Sequence, residues 1–337
     1  MLRYLLFVLP LTWLTAQTDP AVNYFDTTGR DDVLAGGVRM IPITTPAGEF
    51  KVWTKRVGNN PRKKVLLLHG GPGANHAYFE AFDSYFPGEQ IEYYYYDQLE
   101  STHSDQPGDS TLWTIERFVD EVEQVRQALG LDSSNFYLLG HSWGGILAIE
   151  YALAHQGKLK GLIISNMMAS IPAYNRYAEE VLAPQMPAEV VAEIKALEAA
   201  EDYGDPRYEE LVMSNFYTDH VLRMPLEEWP EPVLRGFGGL NYDIYLAMQG
   251  PSEFGIREGA VLEDWDRFED LRNIEVPTLT IGARYDTMDP EYMKRMADQL
   301  PAGSYLYLPQ GSHMAFYDDQ QRYMRGVIDF IHAVDRK

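Results

Sequence analysis

Ser142 stands in the run Gly140-His141-Ser142-Trp143-Gly144, with an apolar Phe136 to Leu139 before it and a helical-looking Ile146 to Ala152 after it. Strand, glycine-flanked serine and helix in that order describe a sharp turn that exposes a hydroxyl. Side chains at positions 140 and 144 would collide with the adjoining helix and strand, which explains the two glycines. A serine hydroxyl becomes a nucleophile only when a base takes its proton and a third group orients that base. The chain offers both partners in the order serine, acid, histidine. Pro277 to Gly282 reads as a strand, and Asp286 lies in the loop beyond it, with Asp289 as the alternative acid. Ser304 to Leu308 reads as another strand, and Gln310-Gly311-Ser312-His313 puts a histidine in the loop that follows. This assigns Ser142 as nucleophile, His313 as general base and then acid, and Asp286 as the orienting carboxylate. The chemistry expected of such a set is acyl transfer through a transient serine ester.

A second constellation, His69-Gly70-Gly71-Pro72-Gly73, directly follows the apolar run Val65 to Leu68. Acyl transfer needs donors for the developing oxyanion, one from the backbone N–H after the nucleophile and one from a glycine-rich loop after an early strand. Those are Trp143 and Gly71, with Gly70 as the alternative to Gly71. A phosphate loop is the competing reading, but the Gly-Lys-Ser/Thr ending is missing and Pro72 breaks the dinucleotide pattern. The eight histidines show no His-Glu-x-x-His spacing, so no catalytic metal is expected, and acyl transfer of this kind needs no other cofactor. His69 and His141 are read as structural.

The elements that must hold these groups follow from periodicity. Val38 to Ile43 and Phe50 to Trp53 flank a turn at Pro46-Ala47-Gly48, and Lys64 to Leu68, Ile91 to Tyr96, Asn135 to Leu139, Leu159 to Ser165, Pro277 to Ile281 and Ser304 to Leu308 read as further strands. Leu112, Ile115, Phe118, Val119, Val122, Val125 and Leu129 recur at helical spacing. Asp319 to Val334 reads as a last helix. Strands alternating with helices predict an α/β fold, with a mostly parallel sheet and helices on both faces. Between Asn166 and Asp266 the pattern changes to helical runs (Ala188 to Ala200, Tyr208 to Tyr217), many prolines and no clear strand. This is read as a helical cap over the carboxyl ends of the strands, where open sheets of this class bind ligands. The expected division is a leader over 1–16, core over 17–166, cap over 167–266 and core again over 267–337.

Twenty-eight Lys and Arg against 50 Asp and Glu give a net charge of −22, which opposes nucleic acid and anionic membrane surfaces as partners. There is no cysteine, so disulfides, thiolate catalysis and thiolate metal sites are excluded. One positive charge at Arg3, the apolar Leu5 to Leu14 and small residues up to Ala16 have the form of a secretory signal, too short for a membrane span. A secreted or periplasmic product with no stable membrane insertion is expected. The oligomeric state is not legible.

Taken together, His69-Gly70-Gly71-Pro72-Gly73, Asp97-Gln98, Gly140 to Gly145, Arg284-Tyr285-Asp286 and Gly311-Ser312-His313 resemble the proline iminopeptidase family of α/β-hydrolases, from about Val38 to the C-terminus. The cap segment Gly250-Pro251-Ser252-Glu253-Phe254 is similar to the branch of the tricorn-interacting aminopeptidase. The resemblance implies an α/β-hydrolase fold and a serine aminopeptidase that releases N-terminal proline, or another small or apolar residue, from short peptides with a free N-terminus. It also implies that Glu253 and a second cap glutamate hold the substrate's amino group. Glu227 is favoured for the second, with Glu228 and Glu231 as alternatives. Paired carboxylates in a partly desolvated pocket would bind an ammonium and reject blocked ends. One departure is Glu100 in Asp97-Gln98-Leu99-Glu100, where the family carries glycine, so that its side chain is expected to alter the loop or the pocket. An esterase, amidase or lactonase with the same triad is the rival function, and a catalytically silent binding protein a more distant one.

Overall fold

The computed structural model describes residues 23–336. The leader reading over residues 1–16 therefore lies outside the described residues. Eight strands form one sheet: β1 (Val38–Thr45), β2 (Gly48–Val57), β3 (Lys64–Leu68), β4 (Glu92–Asp97), β5 (Phe136–His141), β6 (Gly161–Ser165), β7 (Thr278–Ala283) and β8 (Gly303–Leu308). Their order is β1-β2-β4-β3-β5-β6-β7-β8. The β1–β2 hairpin turns through Pro46 and Ala47, with Thr45 opposite Gly48, and β2 pairs antiparallel with β4. From β4 onward all neighbours are parallel.

Every residue of β4, β5, β6 and β7 is buried, which is why their sequences are continuous apolar or tyrosine-rich runs. The pleat sends alternate residues to two cores. Leu66, Leu68, Tyr94, Tyr96 and Leu138 join one face, and Val65, Leu67, Tyr93, Tyr95 and Leu139 the other. Full burial of each such leucine contributes about 1.5–3 kcal/mol. The first face is covered by α1 (Ile115–Ala128) and α2 (Trp143–His155), which contribute Phe118, Val122, Leu147 and Ile149. Thr114 caps α1 by accepting the Arg117 N–H, which sets its start three residues after the periodic pattern begins.

Between β6 and β7 there is no strand among the described residues. The chain instead runs through α3 (Ile171–Tyr177), α4 (Ala188–Ala199), α5 (Pro206–Val212), α6 (Glu231–Gly238) and α7 (Tyr242–Met248), joined by shorter turns. The expected helix over 208–217 starts earlier, at Pro206 behind the Asp205 cap, and widens from Met213 to Val221 into five-residue turns. A Ser170–Asp266 bridge ties the two ends of this excursion together. The chain then completes the sheet and its covering helices with α8 (Pro290–Gln299), α9 (Ala315–Asp318) and α10 (Gln320–Asp335). Tyr323, Val327 and Ile331 of α10 fill the second core.

Candidate active site

Ser142 sits at φ +56, ψ −128 between the end of β5 and the first residue of α2. A non-glycine residue there stores about 1–3 kcal/mol of strain, held by the surrounding packing. The glycines make that packing possible. A Cβ on Gly140 would lie 1.9 Å from the Gly144 carbonyl oxygen, and one on Gly144 2.1 Å from that of Leu68. Gly70 packs against Ser142 itself, since a Cβ there would come within 2.6 Å of the Ser142 Cβ.

His313 and Ser142 line the same cavity. His313 Nδ1 lies 2.8 Å from Asp286 Oδ1, which leaves Nε2 as the ring nitrogen free to serve Ser142. Ser142 Oγ has no hydrogen-bond partner among the described residues, and such contacts commonly tighten only with substrate. Burial disfavours the charged imidazole, but the Asp286 charge and hydrogen bond outweigh it and raise the His313 pKa above 6.5. Asp286 is itself held. Asn166 donates to its Oδ2 at 2.6 Å and the Met288 N–H to its Oδ1 at 3.2 Å. Asp289 is occupied elsewhere, capping α8 through the Glu291 N–H. Of the two candidate acids, the structure brings Asp286 to the histidine.

The candidate oxyanion donors separate in the same way. The Gly70 N–H donates to the Tyr78 hydroxyl. Among the described residues the Gly71 and Trp143 amides make no hydrogen bond, and Gly71 takes φ +38, a turn that suits glycine. His69 braces this loop as a neutral ring. Its Nδ1 faces the Gly70 carbonyl at 2.9 Å and its Nε2 accepts from the Gln98 N–H at 3.2 Å, while burial lowers its pKa to about 4. Gln98 also accepts from the Trp143 indole at 2.9 Å and donates to the His69 carbonyl at 3.2 Å, locking the loop to the nucleophile turn. His141 contacts the Tyr78 hydroxyl at 3.3 Å and the His313 carbonyl at 2.9 Å, and burial lowers its pKa well below the ordinary value. Neither His69 nor His141 is placed to act on the serine proton through a free ring nitrogen.

Above these groups the cap closes a cavity with about 640 Å³ of atom-free space, counting the part open to solvent. Tyr217, Phe237, Leu240, Tyr242, Tyr245 and Glu253 form its upper wall. Glu253 is the one carboxylate in that lining. Its N–H donates to the Tyr217 hydroxyl at 3.0 Å, its carbonyl accepts from Tyr174 at 2.5 Å, and its Oε1 accepts from Tyr245 at 2.8 Å. Oε2 has no donor among the described residues. A carboxylate so held in an apolar pocket, with one oxygen free, can pair with an ammonium.

The second carboxylate is a correction. Glu227 does not reach the cavity: it lies exposed on the short turn Leu226–Glu228, as does Glu228. That turn buries the Trp229 indole, whose N–H donates to the Met224 carbonyl at 3.1 Å, and so points its glutamates to solvent. Glu231 is exposed and paired with Arg235 at 3.0 Å. Tyrosine hydroxyls occupy the space around Glu253 instead, a set that no spacing pattern in the sequence singles out.

Glu100 is likewise clarified. It adopts φ +76, the conformation for which glycine would be free of strain. Its carboxylate turns from the cavity to accept the Gly108 N–H at 2.9 Å and the Trp113 indole at 3.3 Å. Its carbonyl accepts from Asn241 of the cap at 3.1 Å. The extra side chain faces the same Asn241 amide at 3.4 Å through Oε2, which ties its loop to the cap and leaves the pocket clear.

Residues 63–320 match the family model of the alpha/beta hydrolase fold. A proline iminopeptidase of Flavobacterium johnsoniae is 57% identical over 296 residues, which cover 88% of this chain and 98% of that protein. Among solved structures, VinJ aligns with a TM-score of 0.79 at 29% identity, covering 87% of this chain and 98% of its own. A proline iminopeptidase of Mycobacterium smegmatis aligns with a TM-score of 0.75 at 28% identity, over the same shares of the two chains. With a serine turn, an Asp–His pair and two unpaired amides converging under a cap, and with that degree of identity, this chain belongs to the proline iminopeptidase family of α/β-hydrolases.

Proposed function

We propose that the protein is a serine aminopeptidase that releases an N-terminal residue, proline above all, from short peptides with a free amino end. The observation that carries this reading is Glu253, a buried carboxylate in the same cavity as Ser142 and His313. The substrate's ammonium pairs with Glu253 Oε2 and the tyrosine hydroxyls around it, which sets the first peptide carbonyl over Ser142. His313 Nε2 takes the Ser142 proton as Oγ attacks, and the Gly71 and Trp143 amides receive the oxyanion. Protonated His313 then gives its proton to the departing peptide amine. Water, deprotonated by the same ring, hydrolyses the acyl-enzyme and frees the amino acid. Asp286 holds the ring in the tautomer with Nδ1–H and stabilises its charged form. Apolar Phe237, Leu240 and Met314 in the cavity wall suit a pyrrolidine ring at the first position. No cofactor is required by these steps.

The test compares proline 4-nitroanilide with its N-acetyl derivative. The free substrate should be turned over and the blocked one rejected. Glu253→Gln should raise KM for the free amine about 10- to 100-fold, the loss of one charge-assisted contact of about 1.5–3 kcal/mol. Equal turnover of free and acetylated substrate would sink the aminopeptidase reading in favour of an esterase or amidase. The form of residues 1–16 supports export to the periplasm or medium. The intact mass of the protein from its native host checks this, and a product that retains Met1 would overturn it.

A further inference from the structure

We propose that His76, Asp97 and His103 form a binding site for a divalent late transition-metal ion, separate from the catalytic cavity. His76 Nδ1 lies 2.7 Å from Asp97 Oδ1, and His103 Nδ1 lies 2.7 Å from Asp97 Oδ2. Their donor atoms all lie within 4.8 Å of one another, and they are the group of three such side chains that converges among the described residues. None of the three lines the cavity that holds Ser142.

Two imidazoles and a carboxylate are a donor set for Ni(II), Cu(II) or Zn(II), and too nitrogen-rich for Mg(II) or Ca(II). The carboxylate is fully buried at the end of β4 and cannot wander. The His76 N–H donates to Oδ1 at 2.9 Å and the His103 N–H to Oδ2 at 3.3 Å, supplying the outer contacts that orient a ligating carboxylate. His76 is buried and stacked on Trp53 at 4.4 Å between ring centroids, so its ring plane is fixed. His103 is half-exposed, 5.1 Å from the same indole, and opens a path to solvent. On binding, each ring presents Nδ1 unprotonated and keeps its one proton on Nε2. The Nδ1 lone pairs then reach the ion, and water completes the coordination.

Position in the fold gives the ion its role. His76 follows the glycine-rich loop by three residues, and Asp97 precedes Gln98, which grips both Trp143 and His69. Thr102, beside His103, donates to the Gly239 carbonyl of the cap at 3.0 Å and accepts from Asn75 at 3.1 Å. An ion here rivets the oxyanion loop, the loop after β4 and the cap edge. It stabilises the folded enzyme and takes no part in the chemistry.

The test uses the full chain without a histidine tag, stripped with chelator and titrated calorimetrically with Ni(II) and Zn(II). The expected result is one ion per chain, with binding weakened tenfold or more by His103→Ala. The substitution lies on an exposed ring, and retained peptidase activity would show that the fold survives. Ni(II) or Cu(II) should also quench tryptophan fluorescence, and Trp53→Phe should remove most of that quenching. No stoichiometric binding below about 100 μM would overturn the proposal. So would equal affinity in the His103→Ala protein, which would leave the three residues as a hydrogen-bonded clamp.

Discussion

At the scale of single residues, the balance at His313 makes the pH profile a direct probe of the proposed triad. The ring must be neutral to take the Ser142 proton, and its pKa in the free enzyme stands above 6.5 because Asp286 outweighs burial. Activity as kcat/KM should therefore rise with pH through a value above 6.5 as His313 deprotonates. Asp286→Asn removes the charge that raises the pKa and leaves the burial that lowers it, so the acidic limb should move to lower pH. The rate should fall about 10³- to 10⁴-fold, because the ring loses its preferred tautomer. Rates of proline 4-nitroanilide hydrolysis from pH 4.5 to 9 decide it, and an unmoved limb would assign the titration to another group. The sequence displays Ser142, Asp286 and His313 because each is a chemically distinctive residue placed soon after a strand. It does not display the supports. Asn166 on Asp286, Tyr78 on Gly70 and the tyrosines around Glu253 are common residue types whose roles exist only once distant segments meet. Glu227 fails for the converse reason: its sequence neighbourhood is acidic, and the burial of Trp229 next to it decides where that acidity points.

At the scale of elements, the strand–turn–helix around Ser142 is the least tolerant part of the molecule. An added methyl at Gly140 meets the Gly144 carbonyl oxygen at 1.9 Å, a backbone atom with no flexible side chain to give way. Gly140→Ala should destabilise the fold by about 3 kcal/mol or more. Gly157→Ala is the matched control, because a Cβ there meets nothing within 4 Å, and it should be neutral within about 0.5 kcal/mol. Urea midpoints of the two variants test the contrast, and equal midpoints would refute the packing argument. The central strands were readable because burial on both faces demands runs such as Val65 to Leu68. The cap was readable only as helical and inserted. Its five-residue turns after Met213 and the register that sets Val221 against the histidine loop arise from contacts beyond any local pattern. The His313 and Met314 N–H groups donate to the His220 and Val221 carbonyls at 2.9 and 2.8 Å. The cap therefore holds His313 as well as the roof of the pocket.

At the scale of the whole molecule, a mostly parallel sheet with an inserted cap follows from the α/β pattern, while the net charge of −22 acts at a distance from any one contact. Such a charge surrounds the protein with a negative potential that draws cations and repels anions. If the substrate enters by its ammonium end toward Glu253, a substrate of net charge +1 should be captured faster at low ionic strength. The Debye length shortens from about 30 Å at 0.01 M salt to about 8 Å at 0.15 M, so most of that long-range attraction is lost across this range. For proline 4-nitroanilide, cationic below the pKa of its amine, kcat/KM should fall roughly two- to fivefold over the same interval. The dipeptide Pro-Gly carries no net charge as a zwitterion and should show much less dependence. Because kcat describes steps after capture, it should stay flat for both, which separates the field of the molecule from any salt effect on the triad. A parallel fall in kcat, or an equal fall for the zwitterion, would locate the salt effect at the cap or the fold instead.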